Sequence, residues 1–137
     1  MFWLFRTPRS AVGQCVLPES DTYVRFITRG QLLVVQPLDT KLHAHQCKVI
    51  LHDIERMYSS PHPAAKHLVL HLKRVRSLCA MTLPFLERVA TLAQSHSMAP
   101  AMYGLSPSIR DQLRAFGLER RYRFIYSRRD FHRLSGG

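Results

Sequence analysis

HLVLHLKRVRSLCAMTLPFLERVATLAQSHSMAPAMYGLSPSIRDQLRAFGLERRYRFIYSRR, residues 67–129, alternates short apolar runs with longer segments in which apolar residues recur at helical spacing. This alternation predicts an uninterrupted series of strand, helix, strand, helix and strand, which is typical of an α/β fold. The first turn from strand to helix reads Ser-Leu-Cys-Ala-Met-Thr, residues 77–82. Such turns commonly carry reactive or ligand-binding groups. The composition of this one favours a regulatory or binding domain over an enzyme.

The composition of the chain limits the number of domains, the kind of partner and the cellular compartment that we expect. A length of 137 residues with 46% hydrophobic content fits one compact domain with a real core. The formal net charge of +11 favours acidic partners, such as nucleic acid, anionic lipid or a negatively charged protein surface. The three cysteines are odd in number and widely spaced, so we expect a reducing compartment, the cytosol, and no disulfide framework.

The N-terminal segment begins with the apolar residues 1–5, which Arg6 and Pro8 soon interrupt. This run is far shorter than the roughly 20 residues that span a bilayer, and it lacks the order of segments found in a secretory signal. We therefore expect residues 1–21 to form an N-terminal arm that packs on the domain, with an anchor to a membrane or a partner as the alternative. The domain itself is expected to cover residues 22–134.

The segment before residue 67 predicts a hairpin and one helix. Residues 23–27 and 32–35 are β-branched or aromatic runs, and Gly30 between them suits a tight turn. Residues 42–58 carry apolar side chains at helical spacing, with Asp39 or Thr40 as candidate caps. The proline-containing segment 59–63 is expected to end this helix.

The remaining elements complete an α/β domain with a mixed sheet, in the order β-β-α-β-α-β-α-β-α. Ser106 and Pro107 predict the start of the third helix, Gly117 its end, and Ser127 has the spacing of a capping box for a short last helix. The strands are expected at residues 68–72, 101–103 and 122–126, and the second helix from about Thr82 to His96, while Ile109, Leu113 and Phe116 are predicted to line the buried side of the third helix.

Several segments of the sequence resemble the STAS family, which is named for sulfate transporters and anti-sigma factor antagonists. They are residues 68–72 with Val75, the helix with Leu83 and Leu86, residues 104–110, and residues 116–118 before the last strand. The resemblance spans about residues 22–131 and rests on order and spacing. It implies a bacterial, non-catalytic domain that regulates transcription through protein partners, such as a kinase-like anti-sigma factor or a phosphatase.

In bacterial antagonists of this family, a serine at the start of the second helix is phosphorylated by a partner kinase. The matching position here is Ala80, which has no hydroxyl. Thr82 and Ser77 are the hydroxyls that remain near the turn, and Thr82 serves equally well as an N-cap. Because Pro84 fits only near a helix start, the second helix is expected to begin around Thr82. The resemblance therefore implies docking that does not depend on phosphorylation.

The same turn is the predicted partner-binding surface. A basic run precedes it and could attract an anion together with helix amides, although a solvated loop is the simpler interpretation. The apolar residues of the turn also leave open a carrier of a small apolar ligand. The residues predicted to bind the partner are Lys73, Arg74, Arg76, Cys79, Met81 and Thr82.

The sequence offers little support for catalysis, a metal or a cofactor. Asp53 and Glu55 are two residues apart on a helix and so point to different faces. His43 and Cys47 share a helix face, but His45 points away, which disfavours a three-ligand site. No phosphate-binding glycine pattern occurs. We expect a protein that is not an enzyme and holds no metal.

Nucleic-acid binding is the alternative function. Cations and an aromatic ring are interleaved near the C-terminus, as in many surfaces that bind single strands. No helix-turn-helix, zinc-finger or RNA-recognition motif accompanies them. The candidate contacts are Arg120, Arg121, Arg123, Arg128 and Arg129.

Overall fold

The computed structural model describes residues 23–59 and 65–136. The predicted N-terminal arm, with Cys15, lies outside the described residues, and so does most of the proline-containing segment after the first helix. The strands are β1 (Val24–Arg29), β2 (Leu32–Pro37), β3 (Lys41–Leu42), β4 (His67–His71), β5 (Ser77–Leu78), β6 (Ala99–Tyr103) and β7 (Arg123–Ile125). The helices are α1 (Ala44–Ser59), α2 (Thr82–Ser95), α3 (Pro107–Ala115) and α4 (Arg128–Leu134), with a 3₁₀ turn at Leu118–Arg120.

Five strands form one mixed sheet in the order β1-β2-β4-β6-β7. β1 and β2 are antiparallel, whereas β2, β4, β6 and β7 run parallel. The predicted α/β fold, with a hairpin followed by parallel strands, is therefore confirmed. β3 and β5 form a separate two-residue parallel ladder. The sequence did not reveal it, because two residues are too few to show a periodicity.

The hairpin turns where the sequence predicted. Arg29 pairs with Leu32, and Gly30 between them has a φ of 58°, in the left-handed region that glycine tolerates best. The next residue, Gln31, donates its N–H to the carbonyl of Ser135 at 3.1 Å. This hydrogen bond fixes the C-terminal end of α4 to the turn of the β1–β2 hairpin.

The two faces of the sheet carry cores of different size. Alternate side chains such as Leu33 and Val35 point towards α1, α2 and α3 and belong to the larger core, because successive strand residues face opposite ways. Leu32 and Val34 point to the other face, where Phe131 of α4 packs with them. Among residues 23–59 and 65–136, three helices therefore cover one face of the sheet, and the short helix α4 crosses the other.

The predicted ends of α3 and α4 are confirmed. The Ser106 side chain accepts a hydrogen bond from the N–H of Ile109 at 3.3 Å, and Pro107 is the first helical residue. Gly117 follows the helix with a φ of 77°. The Ser127 side chain accepts from the N–H of Asp130 at 3.1 Å at the start of α4.

The predicted cap of α1 is wrong. The helix begins at Ala44, and the side chain of Gln46 accepts the N–H of His43 at 2.7 Å. The Asp39 carboxylate instead accepts from the Thr40 N–H at 2.7 Å and from the Gln46 amide at 2.6 Å. Asp39 and Thr40 cannot cap the helix directly, because β3 lies between them and its first turn.

Of the helices in residues 23–59 and 65–136, none combines the length and the apolar composition needed to span a bilayer.

Candidate interaction site before helix α2

The loop from β4 to α2 is held by buried anchors. The N–H of Leu72 bonds the carbonyl of Tyr103 at 2.9 Å, and Val75 closes a turn back to Leu72 at 3.1 Å. The N–H of Arg76 bonds the Thr40 carbonyl at 2.6 Å. Both apolar anchors, Leu72 and Val75, are about 1% exposed. The loop is therefore fixed to the sheet and to the segment before β3.

The cations of this loop alternate with its anchors and point outwards. Lys73, Arg74 and Arg76 are exposed. None of the three forms an ion pair with a carboxylate among the described residues. We call residues 73–82 the docking turn. It presents unneutralised positive charge on a backbone that is already ordered, which favours an acidic partner.

The tip of the docking turn is apolar and exposed. Ala80 is exposed, and Met81 has 49% of its surface accessible. Position 80, at which the sequence resemblance predicted a phosphoserine equivalent, therefore lies at the surface, and its side chain is a methyl group. A flexible thioether such as Met81 adapts readily to the surface of a partner.

Thr82 does not act as the N-cap of α2. Met81 occupies that position with helical backbone angles and makes no side-chain cap, and Thr82 is the first helical residue. The Thr82 hydroxyl is only 1% exposed; it accepts from the Cys79 N–H at 3.0 Å and lies 3.3 Å from the Leu42 carbonyl. It ties the turn to β3 instead. Ser77, the other remaining hydroxyl, is half-buried in β5.

Two free thiols meet at the same Leu42 carbonyl. The sulfur of Cys79 lies 2.8 Å from this oxygen and that of Cys47 lies 4.0 Å from it. Burial and the neighbouring Cys79 raise the pKa of the Cys47 thiol to about 11, although a hydrogen bond with Thr82 opposes this. Burial also acts on Cys79, but hydrogen bonds from Thr82 and from nearby backbone amides outweigh it, so the pKa of Cys79 lies below its ordinary value.

A small apolar pocket of about 210 Å³ lies between the docking turn and α3. Leu113 and Phe116 form its α3 side, and Leu78, Cys79 and Ala80 belong to its other wall. The prediction that Phe116 is buried is wrong, because 59% of its surface is exposed. α3 ends at Ala115, and the chain then turns at the left-handed Gly117, so Phe116 no longer follows the helical face of Ile109 and Leu113.

The C-terminal arginines differ from one another in their surroundings, and Arg128 lines a groove together with Lys73 of the docking turn. Arg121 forms an ion pair with Glu87 at 3.4 Å and donates to the Thr91 hydroxyl at 2.7 Å, so it holds the 3₁₀ turn against α2. Arg123 shares the strand face of Ile125, which belongs to the smaller core. Arg120, Arg123, Arg128 and Arg129 are exposed.

His45 and His71 both pack against aromatic rings. His45 meets the Tyr23 ring edge-on at a centroid distance of 5.8 Å, and His71 lies 5.1 Å from the Tyr103 ring. Burial, and then the nearby Lys73, lower the pKa of His71. Within the described ranges, no three histidine, cysteine, aspartate or glutamate side chains converge as metal ligands would.

Comparison with known proteins gives matches among solved structures only. No protein-family profile and no curated protein sequence matches the chain. The structure of the anti-sigma factor antagonist SpoIIAA in its unphosphorylated form matches with a TM-score of 0.66 and 13% identity, over 83% of this chain and 97% of that one. A variant of RsbS from Moorella thermoacetica matches with a TM-score of 0.66 and 16% identity, over 82% and 95%.

A third match is an anti-sigma-factor antagonist (STAS) domain protein from Planctomyces limnophilus. Its TM-score is 0.67 at 11% identity, over 83% of this chain and 98% of that one. At sequence identities this low, the similarity shows a shared backbone fold but does not assign functional roles to individual residues. The chain therefore has the fold of the STAS domain proteins.

Proposed function

We propose that this chain is a non-catalytic regulatory domain that binds a protein partner through the docking turn. The partner is of the class that anti-sigma factor antagonists meet, a kinase-like anti-sigma factor or a phosphatase. Binding does not depend on phosphorylation at position 80. The regulatory role is supported by the proteins of similar structure, because these are anti-sigma factor antagonists.

One observation carries the proposal. Two large apolar side chains are exposed at or beside the apolar pocket: Phe116, 59% exposed, lines it, and Met81, 49% exposed, lies between the lining residues Ala80 and Thr82 in the chain. The exposed cations Lys73, Arg74 and Arg76 belong to the adjoining loop. Apolar anchors with a charged rim are the usual anatomy of a protein interface. Such a surface suits a partner that inserts an apolar side chain and surrounds it with carboxylates.

The experiment is co-purification from the source cells, with the tagged full chain as bait and nuclease present throughout. Met81→Glu and Phe116→Glu are expected to reduce the recovered partner at least about tenfold, because each places a carboxylate in the apolar centre of the interface. Ile27→Glu is the matched control. Ile27 is an apolar side chain, 37% exposed, that does not line the apolar pocket; it lines a groove on the α4 side of the sheet, to which the docking turn contributes Lys73.

Two results would count against the proposed interface. A partner recovered equally with all three variants docks elsewhere. A partner lost equally with all three variants reports a general effect of added negative charge. Phosphate found at high occupancy on Ser77 or Thr82, after incubation with the partner kinase and ATP, would remove only the independence from phosphorylation.

A second candidate function, nucleic-acid binding, is favoured by the separation of charge across the sheet. The five strands of the main sheet contain no carboxylate, and Arg25, Arg29 and Arg123 alternate with residues of its two cores so as to face the α4 side. A groove of about 820 Å³ lies on this side. Four cations line it, Arg29, Lys73, Arg110 and Arg128, with no carboxylate among the lining residues.

The salt dependence of binding tests this candidate. A fluorescein-labelled single-stranded oligonucleotide is titrated with the protein at several salt concentrations. Real phosphate contacts give an affinity that falls log-linearly with salt, with a slope that corresponds to several ions released. Arg123→Gln is expected to reduce that slope, whereas Arg121→Gln is not, because Arg121 is held by Glu87. Equal effects of both substitutions would argue against a defined site on this face.

A further inference from the structure

We propose that Cys47 and Cys79 are a redox modification site, at which a low-molecular-weight disulfide such as oxidised glutathione converts the two thiols into one intramolecular disulfide. The bond would join the first turn of α1 to the docking turn. Its effect on partner binding rests on the proposed function, whereas its formation does not.

The geometry around the Leu42 carbonyl brings the two sulfurs together. With distances of 2.8 and 4.0 Å to the same oxygen, they lie no more than about 7 Å apart. Register pairing of Leu42 with Leu78 places the residue before Cys79 directly beside the strand that leads into α1. Rotation of the side chains and a small shift of the turn bring the sulfurs to bonding distance.

The two thiols differ in the way that a stepwise reaction requires. Cys79 is partly accessible and lies next to the exposed tip, so it meets the oxidant first. Its depressed pKa increases the fraction of reactive thiolate at neutral pH. Cys47 is only 4% exposed and its thiol stays protonated at neutral pH, so it is the resolving partner and not the first nucleophile.

The reaction balances without any further reagent. The Cys79 thiolate attacks one sulfur of oxidised glutathione, the sulfur–sulfur bond of glutathione breaks, and one glutathione thiolate leaves. Cys47 then loses its proton to solvent, and its sulfur attacks the Cys79 sulfur. The second glutathione leaves as a thiolate. Two protein thiols have been oxidised, and one glutathione disulfide has been reduced to two thiols.

The consequence for the docking turn follows from the contacts that must change. In the reduced chain, the Cys79 sulfur contacts the Leu42 carbonyl and lies 3.6 Å from the Thr82 hydroxyl. A bond to Cys47 draws it away from this position. The β3–β5 ladder that supports the turn is only two residues long, so it offers little resistance. Ala80 and Met81, which follow Cys79 directly, then shift relative to Phe116.

The test uses the full chain with Cys15→Ser, which removes the third thiol. The protein is incubated with oxidised glutathione at neutral pH, and intact and peptide masses are measured. The expected product has lost about two mass units, and its Cys47 and Cys79 peptides are linked and separate again on reduction. Adding Cys47→Ser should leave a glutathione adduct on Cys79. Adding Cys79→Ser should leave Cys47 unmodified.

A stable glutathione adduct on Cys79 while Cys47 is intact would overturn the proposal, and so would a linked product that forms only in denaturant. Both results use the unsubstituted pair and do not depend on how the serine variants fold. Partner recovery by the reduced protein is measured separately. Its loss would count against the proposed function, whereas failure to form the disulfide would leave that function untouched.

Discussion

At the scale of single residues, the docking turn has an alanine at position 80, and its Cys79 lies near a second, more buried thiol, Cys47 of α1. Iodoacetamide should alkylate Cys79 well before Cys47 at neutral pH, because Cys79 is more accessible and its pKa is depressed, whereas that of Cys47 is raised to about 11. Timed quenching and peptide masses measure both rates. Equal rates in the native protein would contradict the environments described for the two sulfurs.

The buried Cys47 thiol also predicts a dependence of stability on pH. Its pKa is raised from 9.0 to about 11, so the folded chain keeps this proton where the unfolded chain loses it, and stability falls as pH rises through that interval. The loss at pH 10 is about 1.4 kcal/mol. Urea unfolding at pH 8 and pH 10 should show a steeper decline for the native chain than for Cys47→Ala. Parallel declines would refute the assignment.

At the scale of an element, the start of α2 depends on a buried hydroxyl and not on a cap. Thr82→Val keeps the shape but leaves the Cys79 N–H without its acceptor, and we expect a loss of about 1–3 kcal/mol in unfolding free energy. Ser95→Ala, at an exposed position near the end of the same helix, should change stability by less than about 0.5 kcal/mol. Similar small effects of both would mean that Thr82 does not hold the turn.

The loop between β6 and α3 is close-packed at Gly104. A Cβ there would lie 2.8 Å from Cδ2 of His71, and the φ of 80° is unfavourable for alanine. Gly117 is the matched control, because its φ is 77° but nothing lies within 4 Å. Gly104→Ala should therefore destabilise the chain by about 1 kcal/mol more than Gly117→Ala in urea unfolding. Equal losses would show that His71 gives way freely.

The sequence predicted the starts of helices correctly where the determining residues lie within one helical turn of the start. Pro84 correctly placed the start of α2 near Thr82, and Ser106 and Ser127 correctly marked helix starts, since caps and prolines act within one turn. The role of Thr82 was missed, because its partner Leu42 is 40 residues away along the chain. The exposure of Phe116 was also missed, because the prediction continued the helical repeat of α3 beyond Ala115, its last helical residue.

At the scale of the whole molecule, the chain separates two kinds of surface. The apolar pocket lies on the side of α2 and α3, and the larger groove lies on the α4 side, where Arg29, Arg128 and Lys73 of the docking turn line it. The order of the apolar segments and the spacing of the turns in the sequence predicted the α/β fold. They could not predict which side of the sheet each cation faces, because that depends on strand register and on where α4 crosses. The net charge of +11 was visible, but its segregation was not.

The proposed interface requires that the partner binds position 80 as an unmodified, uncharged side chain. Its most direct test is the affinity of the co-purified partner for the native chain, for Ala80→Ser and for Ala80→Glu, measured by isothermal titration calorimetry. Ala80→Ser should change the dissociation constant by less than about threefold, whereas Ala80→Glu should weaken binding at least about tenfold. Equal affinity for the native chain and Ala80→Glu would contradict the claim.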